Sequence, residues 1–324
     1  MQKNRQDRMK KISDYLEGIK KVAVTGHVSP DGDCVGSCLG LLNYLRDNHP
    51  EITAHVFLEK VKETFDYLPL INEIRHEDSG EDYDLMILLD ISSPDRISFS
   101  SQIMKRTPAT LCLDHHLTNP GGFTWMYNDP TASSASEVLY RHLDPEKISF
   151  NCATCLYTGI VHDTGVFQYS STSPETMRIA GELMSRGVEF TSIIDDSFFA
   201  RTYLQNRAMG EILAGSQLLL GGKAVAGYML RERRWELGVK PVDLDGVVAQ
   251  LRNTIGADTA IFMYQLDDGV FKVSLRSRKI TDVSAIAAKY GGGGHVRASG
   301  FKIKGRAEEI ISLLADDIKE QLGP

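Results

Sequence analysis

The sequence predicts an α/β domain with a doubly wound, mostly parallel sheet, followed by a smaller α+β domain. Three observations support this prediction. Strand-like apolar segments alternate with helical periodicity through the first half, as in parallel sheets covered by helices. Residues 85–89 form a continuous apolar run, which is typical of a strand buried on both faces. The 324 residues are enough for two hydrophobic cores.

The elements of the first half follow from these patterns. Strands are predicted over residues 21–25, 52–58, 85–89 and 109–113. Helices are predicted over residues 35–46, 134–142 and 151–161, where apolar residues recur at helical spacing. Parallel sheets of this kind bind ligands at the carboxyl ends of their strands. Polar residues directly after the predicted strands are therefore candidates for a functional site.

The second half begins with a helical pattern of mixed polarity over residues 174–220. After it come strands at 223–230, 260–266, 271–276 and 299–304, and helices at 282–290 and 307–322. Asp267-Asp268-Gly269 predicts a hairpin turn between two of these strands. We place the first domain at residues 1–185, a helical connector at 186–220 and the smaller domain at 221–324.

The composition excludes several classes of protein. A net charge of -7 provides no broad basic surface for duplex nucleic acid. The longest apolar run is too short to cross a bilayer, and the polar N-terminus does not resemble a signal peptide. The five cysteines show no disulfide framework, so we expect a reduced, cytoplasmic setting.

Four short motifs in the first half contain acidic and imidazole side chains. They are His27-x3-Asp31-x-Asp33, Asp90, Asp114-His115-His116 and His162-Asp163. Each has a structural explanation when taken alone; Asp33, for example, could cap a helix, with Gly32 permitting a tight turn. Gathered at one edge of a sheet, the same side chains suit two hard divalent cations, a common device for hydrolysing phosphate esters.

A second group of candidates lies near the C-terminus. Gly291 to Gly294, followed by His295, predict a flexible loop whose backbone amides can approach an anion closely. Arg276, Arg278 and Arg297 are nearby in sequence and could complete a phosphate site. A purely surface role for each arginine is equally open.

The order of the motifs resembles the DHH phosphoesterase superfamily. Leu275-Arg276-Ser277, with the later Gly-Gly-Gly-Gly-His, resembles its DHHA1 domain, and the resemblance covers nearly the whole chain. The two-domain size and motif order are similar to the branch of nanoRNases and pAp phosphatases. The resemblance therefore implies hydrolysis of very short oligoribonucleotides to mononucleotides, and of 3′-phosphoadenosine 5′-phosphate (pAp) to AMP.

The resemblance also implies roles for individual residues. His27, Asp31 and Asp90 would hold one cation, and Asp33, Asp90, His115 and Asp163 the other, with a water activated between them. Catalytic roles are implied for Asp90, Asp114 and His116, and substrate binding is implied for Arg276, Ser277, Gly292, Gly293, Gly294 and His295. The mixed imidazole and carboxylate set favours Mn²⁺, with Mg²⁺, Co²⁺ or Zn²⁺ as substitutes.

Two alternatives of different kinds remain open. One is a phosphodiesterase for linear or cyclic dinucleotides such as pApA, pGpG or c-di-AMP; a family II pyrophosphatase shares the metal motifs but has a different second domain. The other is a non-catalytic nucleotide-binding protein, which the complete set of ligand positions disfavours. The expected partners are short single-stranded RNA or a nucleotide, with no membrane and with a homodimer as one option.

Overall fold

The computed structural model describes residues 10–117, 119–267 and 269–323. The chain separates into two compact units, residues 1–200 and 201–324. Residues 186–220, predicted as a connector, are divided between the two units. Each unit has its own sheet and its own hydrophobic core.

The first unit contains a five-stranded sheet in which all four strand pairings are parallel. Its strands are β1 (Lys21–Thr25), β2 (Thr53–Phe57), β3 (Leu85–Leu89), β4 (Ala109–Asp114) and β5 (Trp125–Asn128). They are arranged in the order β2-β1-β3-β4-β5. The strand order therefore reverses at β1 and β3, and such a reversal opens a crevice at the carboxyl ends of the strands.

Both faces of this sheet are covered, which explains the unbroken apolar sequence of β3. Ile87 packs in the large core on one face, while Met86 and Leu88 pack on the other with Phe57 and Ile103. All five side chains of β3 are buried. The prediction from the apolar run over residues 85–89 is confirmed.

Six α-helices are described in the first unit. They are α1 (Gly32–Asn48), α2 (Ser101–Arg106), α3 (Ala135–His142), α4 (Phe150–Asp163), α5 (Pro174–Met184) and α6 (Phe190–Ser192). The hydroxyls of Ser134, Ser149 and Ser173 accept the first free backbone N–H groups of α3, α4 and α5. A π-helical turn, Ile193–Phe199, follows α6.

The second unit is built on a mixed six-stranded sheet in the order β10-β11-β9-β8-β7-β6. These strands are β6 (Gln217–Leu219), β7 (Ala224–Met229), β8 (Thr259–Asp267), β9 (Val270–Ser277), β10 (Gly293–His295) and β11 (Ala298–Lys304). The helices are α7 (Tyr203–Ala214), α8 (Arg231–Glu236), α9 (Val247–Arg252), α10 (Val283–Lys289) and α11 (Ala307–Leu322). The expected α+β class is confirmed.

Two details of the second unit bear on the predictions. β8 and β9 pair as an antiparallel hairpin, although the predicted turn includes Asp268, which lies outside the described residues. The predicted glycine loop is wrong for Gly293 and Gly294, because both belong to β10 and pair with β11. Among the described residues, no helix is both long enough and apolar enough to span a membrane.

Candidate metal centre

The predicted ligands of the first unit converge at the crevice where the strand order reverses. His27 follows β1 and Asp90 follows β3, and these two strands are neighbours in the sheet. Asp114 is the last residue of β4, and His115 follows it. Asp163 is the last residue of α4. Distant segments thus meet because parallel strands present their carboxyl ends at the same edge.

The side chains form three groups, and the ligand atoms of each group lie within 4.8 Å of one another. The first group is His27, Asp31 and Asp90, the second is Asp33, His115 and Asp163, and the third is Asp90, His115 and His116. The predicted metal ligands make up the first two groups. Asp90 connects them, because its Oδ2 lies 3.3 Å from His27 Nε2 and its Oδ1 lies 3.5 Å from His115 Nε2. His115 Nε2 is also 3.4 Å from Asp163 Oδ2. The structure therefore brings all six predicted metal ligands together.

Asp31 and Asp33 have different local roles at the start of α1. Asp31, rather than Asp33, caps the helix, and its Oδ1 accepts the N–H groups of Asp33 and Cys34 at 3.1 and 3.2 Å. Asp33 is buried, and its two oxygens accept the first N–H groups of α3 from Ala135 at 2.6 Å and Ser136 at 2.9 Å. Each Asp33 oxygen accepts one of these N–H groups and retains a lone pair for a cation.

Glycines let α1 and α4 approach closely enough to place Asp33 beside Asp163. An added Cβ at Gly36 would lie 2.5 Å from the Cys155 carbonyl oxygen, and one at Gly159 would lie 2.6 Å from Asp33 Oδ1. Gly32 was expected to permit a turn, but it lies in the first turn of α1. No larger residue fits at this position, because a Cβ on residue 32 would be 2.2 Å from His162 Cγ.

His116 and Asp114 form a separate pair beside Asp90. Asp114 is fully buried, and its Oδ1 is 2.9 Å from His116 Nδ1. Asn119 donates to Asp114 Oδ2 at 2.8 Å, and Asn128 donates to the His116 carbonyl oxygen at 2.7 Å. Sequence reasoning missed both asparagines. Asn119 follows Asp114-His115-His116 closely, in a loop where an asparagine usually indicates a turn, and Asn128 ends β5, so neither position indicated its role.

The charges of the centre indicate that it is incomplete without cations. Burial and the Asp90 charge raise the pKa of Asp33 to about 7, and burial and Asp33 raise the pKa of Asp163 well above its usual range. Burial opposes ionisation of Asp90 as well, but hydrogen bonds from His115 and His27 hold the pKa of Asp90 well below its usual range. Crowded carboxylates of this kind repel one another unless positive charge is placed between them.

The pKa values of His27 and His115 are raised by the carboxylates of the centre. Burial lowers the pKa of His27, but hydrogen bonds to Asp31 and Asp90 outweigh burial and raise the pKa to about 12. In the same way, Asp90 and Asp163 outweigh burial and raise the pKa of His115 to about 10. Both shifts have the same cause, which is that the carboxylates of the centre favour positive charge beside them. The residues present fit divalent cations by type, spacing and charge.

The predicted substrate residues of the second unit lie around β10. Ala298 of β11 pairs with His295 on one side and with Arg276 of β9 on the other. Directly paired residues face the same side of a sheet, so Arg276 and His295 share a face about 10 Å apart. Ser277 follows Arg276 in β9 and so faces the opposite side, where its buried hydroxyl donates to the Thr281 carbonyl oxygen at 2.6 Å.

The remaining candidates of the second unit differ in their contacts. A Cβ at Gly294, whose φ is +144°, would lie 2.4 Å from the Ala298 carbonyl oxygen, whereas Gly293 has open space around it. Gly292 also needs its hydrogen, because a Cβ there would lie 2.4 Å from the Gly300 carbonyl oxygen. Arg297 donates to the Thr281 and Lys279 carbonyl oxygens at 2.9 and 2.5 Å.

Comparisons with known proteins agree with this architecture. Residues 21–160 match the DHH family, N-terminal domain, and residues 221–322 match the DHHA1 domain. The bifunctional oligoribonuclease and PAP phosphatase NrnA of Thermus thermophilus is 28% identical over 323 residues, which cover 98% of this chain and 95% of that protein. The protein of the same name from Bacillus subtilis is 28% identical over 300 residues, which cover 90% and 91%.

A solved structure shares this fold over nearly the whole chain. The exopolyphosphatase-related protein of Bacteroides fragilis superposes with a TM-score of 0.87 at 26% identity, covering 95% of this chain and 94% of that one. The two matched domains, the order of the motifs and the parallel sheet that gathers them show that the chain belongs to the DHH family of phosphoesterases and carries a C-terminal DHHA1 domain.

Proposed function

We propose that this protein hydrolyses short oligoribonucleotides to mononucleotides and pAp to AMP. The observation that carries the proposal is the pair of ligand groups joined through Asp90, with the Asp114–His116 pair beside them. The 28% identity to two proteins named oligoribonuclease and PAP phosphatase, over nearly the whole chain, supports the choice of substrates.

The chemistry divides between the centre and its neighbours. Two divalent cations bound by His27, Asp31, Asp33, Asp90, His115 and Asp163 would supply an activated water and would stabilise charge on the phosphoryl oxygens. His116 Nδ1 is turned to Asp114 at 2.9 Å, which leaves Nε2 as the ring atom that can reach a substrate. Protonated His116 would then give a proton from Nε2 to the leaving oxygen.

Arg276 and His295 are the residues of the second unit that we propose to bind substrate. They share one face of its sheet, and both carry donors suited to a phosphate or a nucleotide end. Gly294 contributes by letting β10 lie close to β11. The roles of Ser277, Gly292 and Gly293 in substrate binding stay predictions, and the buried Ser277 hydroxyl is already committed to Thr281.

Mn²⁺ is the cation we propose, because the ligand set mixes two imidazoles with four carboxylates. Protein stripped with a chelator should regain activity most completely with Mn²⁺. Recovery with Mg²⁺, Co²⁺ or Zn²⁺ in preference to Mn²⁺ would overturn this choice.

A substrate panel tests the function directly. Purified protein with Mn²⁺ should release mononucleotides from RNA of two to five nucleotides and phosphate from pAp. Asp90→Asn should abolish both activities, while Asp47→Asn, an exposed change in the last turn of α1, should leave them intact. Full activity of Asp90→Asn would contradict the two-metal assignment.

The same panel separates the alternatives. Turnover of pApA, pGpG or c-di-AMP without turnover of pAp or longer RNA would show a dinucleotide phosphodiesterase. Turnover of pyrophosphate alone would show a pyrophosphatase. Binding of short RNA without any turnover would show a non-catalytic nucleotide-binding protein.

The cellular location and the oligomeric state of the protein can also be measured. A cytoplasmic location agrees with five free, buried cysteine thiols. A homodimer would appear in light scattering at about twice the chain mass of 36.0 kDa.

A further inference from the structure

Arg96 is an exposed arginine held against the candidate metal centre. It ends the helical turn Pro94–Arg96, six residues after Asp90. Its Nη2 lies 3.1 Å from His27 Nδ1 and 3.3 Å from the Val28 carbonyl oxygen. The Val28 N–H donates to the Arg96 carbonyl oxygen at 2.8 Å, so the backbone fixes the arginine beside His27.

The guanidinium of Arg96 forms no ion pair in the part of the chain that the structure describes. The first unit has seven described arginines. The five that pair with carboxylates are Arg46, Arg75, Arg106, Arg141 and Arg178. Arg186 instead donates to two backbone carbonyl oxygens. Arg96 and Arg186 are thus the two arginines of this group without an ion pair, and Arg96 is the one that lies beside a residue of the candidate centre, His27.

Arg96 cannot donate a hydrogen bond to His27 Nδ1 once His27 binds a cation through Nε2. A guanidinium only donates hydrogen bonds, and the Val28 carbonyl oxygen, 2.8 Å from His27 Nδ1, only accepts them. Binding through Nε2 uses the lone pair of that nitrogen, so the ring proton lies on Nδ1 and points to Val28. Nδ1 then offers Arg96 no acceptor, and most of its N–H groups are available to another molecule.

The charges around the centre indicate what that molecule is. The four carboxylates of Asp31, Asp33, Asp90 and Asp163 balance two divalent cations and leave no net positive charge for a phosphate group. An arginine can supply that charge and can bind two phosphate oxygens at once. An exposed guanidinium on the His27 side of the centre is placed to do so.

We propose that Arg96 binds a non-bridging phosphate oxygen of the nucleotide substrate, an inference that rests on the proposed function. The ligand class is a phosphate monoester or diester. Arg96 is then a substrate-binding residue that sequence reasoning missed.

Two substitutions of Arg96 and one control test the proposal. Arg96→Gln removes the charge, Arg96→Lys keeps it without the planar fork, and Lys105→Gln removes an exposed positive charge from α2. Losing a charge-assisted hydrogen bond should lower kcat/KM for pAp and for pApA by roughly 10- to 100-fold in Arg96→Gln. Arg96→Lys should lie between Arg96→Gln and wild type, and Lys105→Gln should match wild type.

Calorimetric titration with Mn²⁺ distinguishes two possible roles of Arg96, which are direct binding of the substrate and positioning of His27 for metal binding. The Mn²⁺ dissociation constant of Arg96→Gln should stay within about threefold of the wild-type value, because the Val28 carbonyl still orients His27. A parallel loss of Mn²⁺ affinity and activity would show that Arg96 acts through His27 and would overturn the proposal. Unchanged kcat/KM in Arg96→Gln would overturn it as well.

The failure of this inference can be told apart from failure of the proposed function. If the wild-type protein turned over no substrate on the panel, the proposed function would fail. Calorimetric binding of pAp to the Mn²⁺-loaded protein would still decide the role of Arg96. Binding weakened at least tenfold in Arg96→Gln would support the phosphate contact, and equal binding would exclude it.

Discussion

Replacing Gly36 by alanine tests whether the close packing of α1 on α4 determines the geometry of the metal centre. The added Cβ would lie 2.5 Å from the Cys155 carbonyl oxygen and 2.8 Å from the Gly159 nitrogen. Both are backbone atoms of α4 and cannot rotate away. The first distance is about 0.9 Å short of ordinary van der Waals contact, so the two helices must separate by a similar amount.

The expected cost follows from that separation. Overpacking of this kind costs roughly 1–3 kcal/mol, and each kcal/mol lowers the unfolding midpoint by about 2–4 °C in a domain of this size. Asp33 lies on α1 and Asp163 ends α4, so the same shift moves two of the proposed metal ligands apart. A misplacement of about 1 Å at a reacting centre can reduce activity on the order of 100-fold.

The assay compares Gly36→Ala with a matched change in the same unit. Gly181 lies in α5, and an added Cβ there meets no atom within 4 Å. Gly181→Ala should therefore stabilise the protein by roughly 0.5–1 kcal/mol, because alanine restricts the unfolded chain and favours the helix. Thermal unfolding and Mn²⁺ titration are measured on both variants. The reasoning is refuted if Gly36→Ala melts at or above the wild-type temperature and binds Mn²⁺ normally.

Three further outcomes are expected. Gly159→Ala should lower Mn²⁺ affinity in calorimetry by at least tenfold, since its Cβ would lie 2.6 Å from Asp33 Oδ1; unchanged affinity would contradict this. Asn119→Ala should lower kcat on the order of 10-fold with little change in Mn²⁺ affinity, because buried Asp114 loses the donor to its Oδ2; a loss confined to metal binding would contradict the positioning role. Metal-free protein should lose stability as pH rises from 6.5 towards 9, because the folded state keeps the His115 proton up to a pKa of about 10 while the unfolded state releases it near 6.5. Saturating Mn²⁺ should abolish this pH dependence, and a rise in the chelated protein's melting temperature over that range would contradict the assignment.

The sequence was sufficient to predict that the six candidate metal ligands lie together, because the order of strands in a parallel sheet determines where the residues that follow them are placed. His27 and Asp90 each follow a short apolar strand, and residues at that point of a parallel sheet face one crevice whatever their separation in the chain. The residue types then indicate the chemistry. No knowledge of packing was needed for this step, since β1 and β3 are recognisable from their composition alone.

The supporting residues could not be predicted, because their roles depend on partners far away in the sequence. Gly36 is visible as a glycine in a helical pattern, but its contact with Cys155 is fixed only when α1 crosses α4. β5 was missed because it is a short edge strand in which Trp125 and Met126 are adjacent and both exposed, without the alternation that indicates a strand. β10 consists mostly of glycine, whose low strand propensity concealed its pairing with β11.

At Asp90, both the backbone conformation and the chemistry of the side chain restrict which residue can be present. Its φ of +59° places it in the left-handed region, directly after the fully buried β3, where few side chains other than glycine, asparagine and aspartate are found without strain. Its carboxylate lies within 3.6 Å of nitrogens from His27, His115 and His116. Glycine would satisfy the backbone but remove the shared ligand, and glutamate would keep the charge but meet a conformation it rarely adopts. Asparagine keeps the backbone but removes the charge and one of the two ligand oxygens, so the loss of activity expected for Asp90→Asn separates the role of this carboxylate from its backbone role.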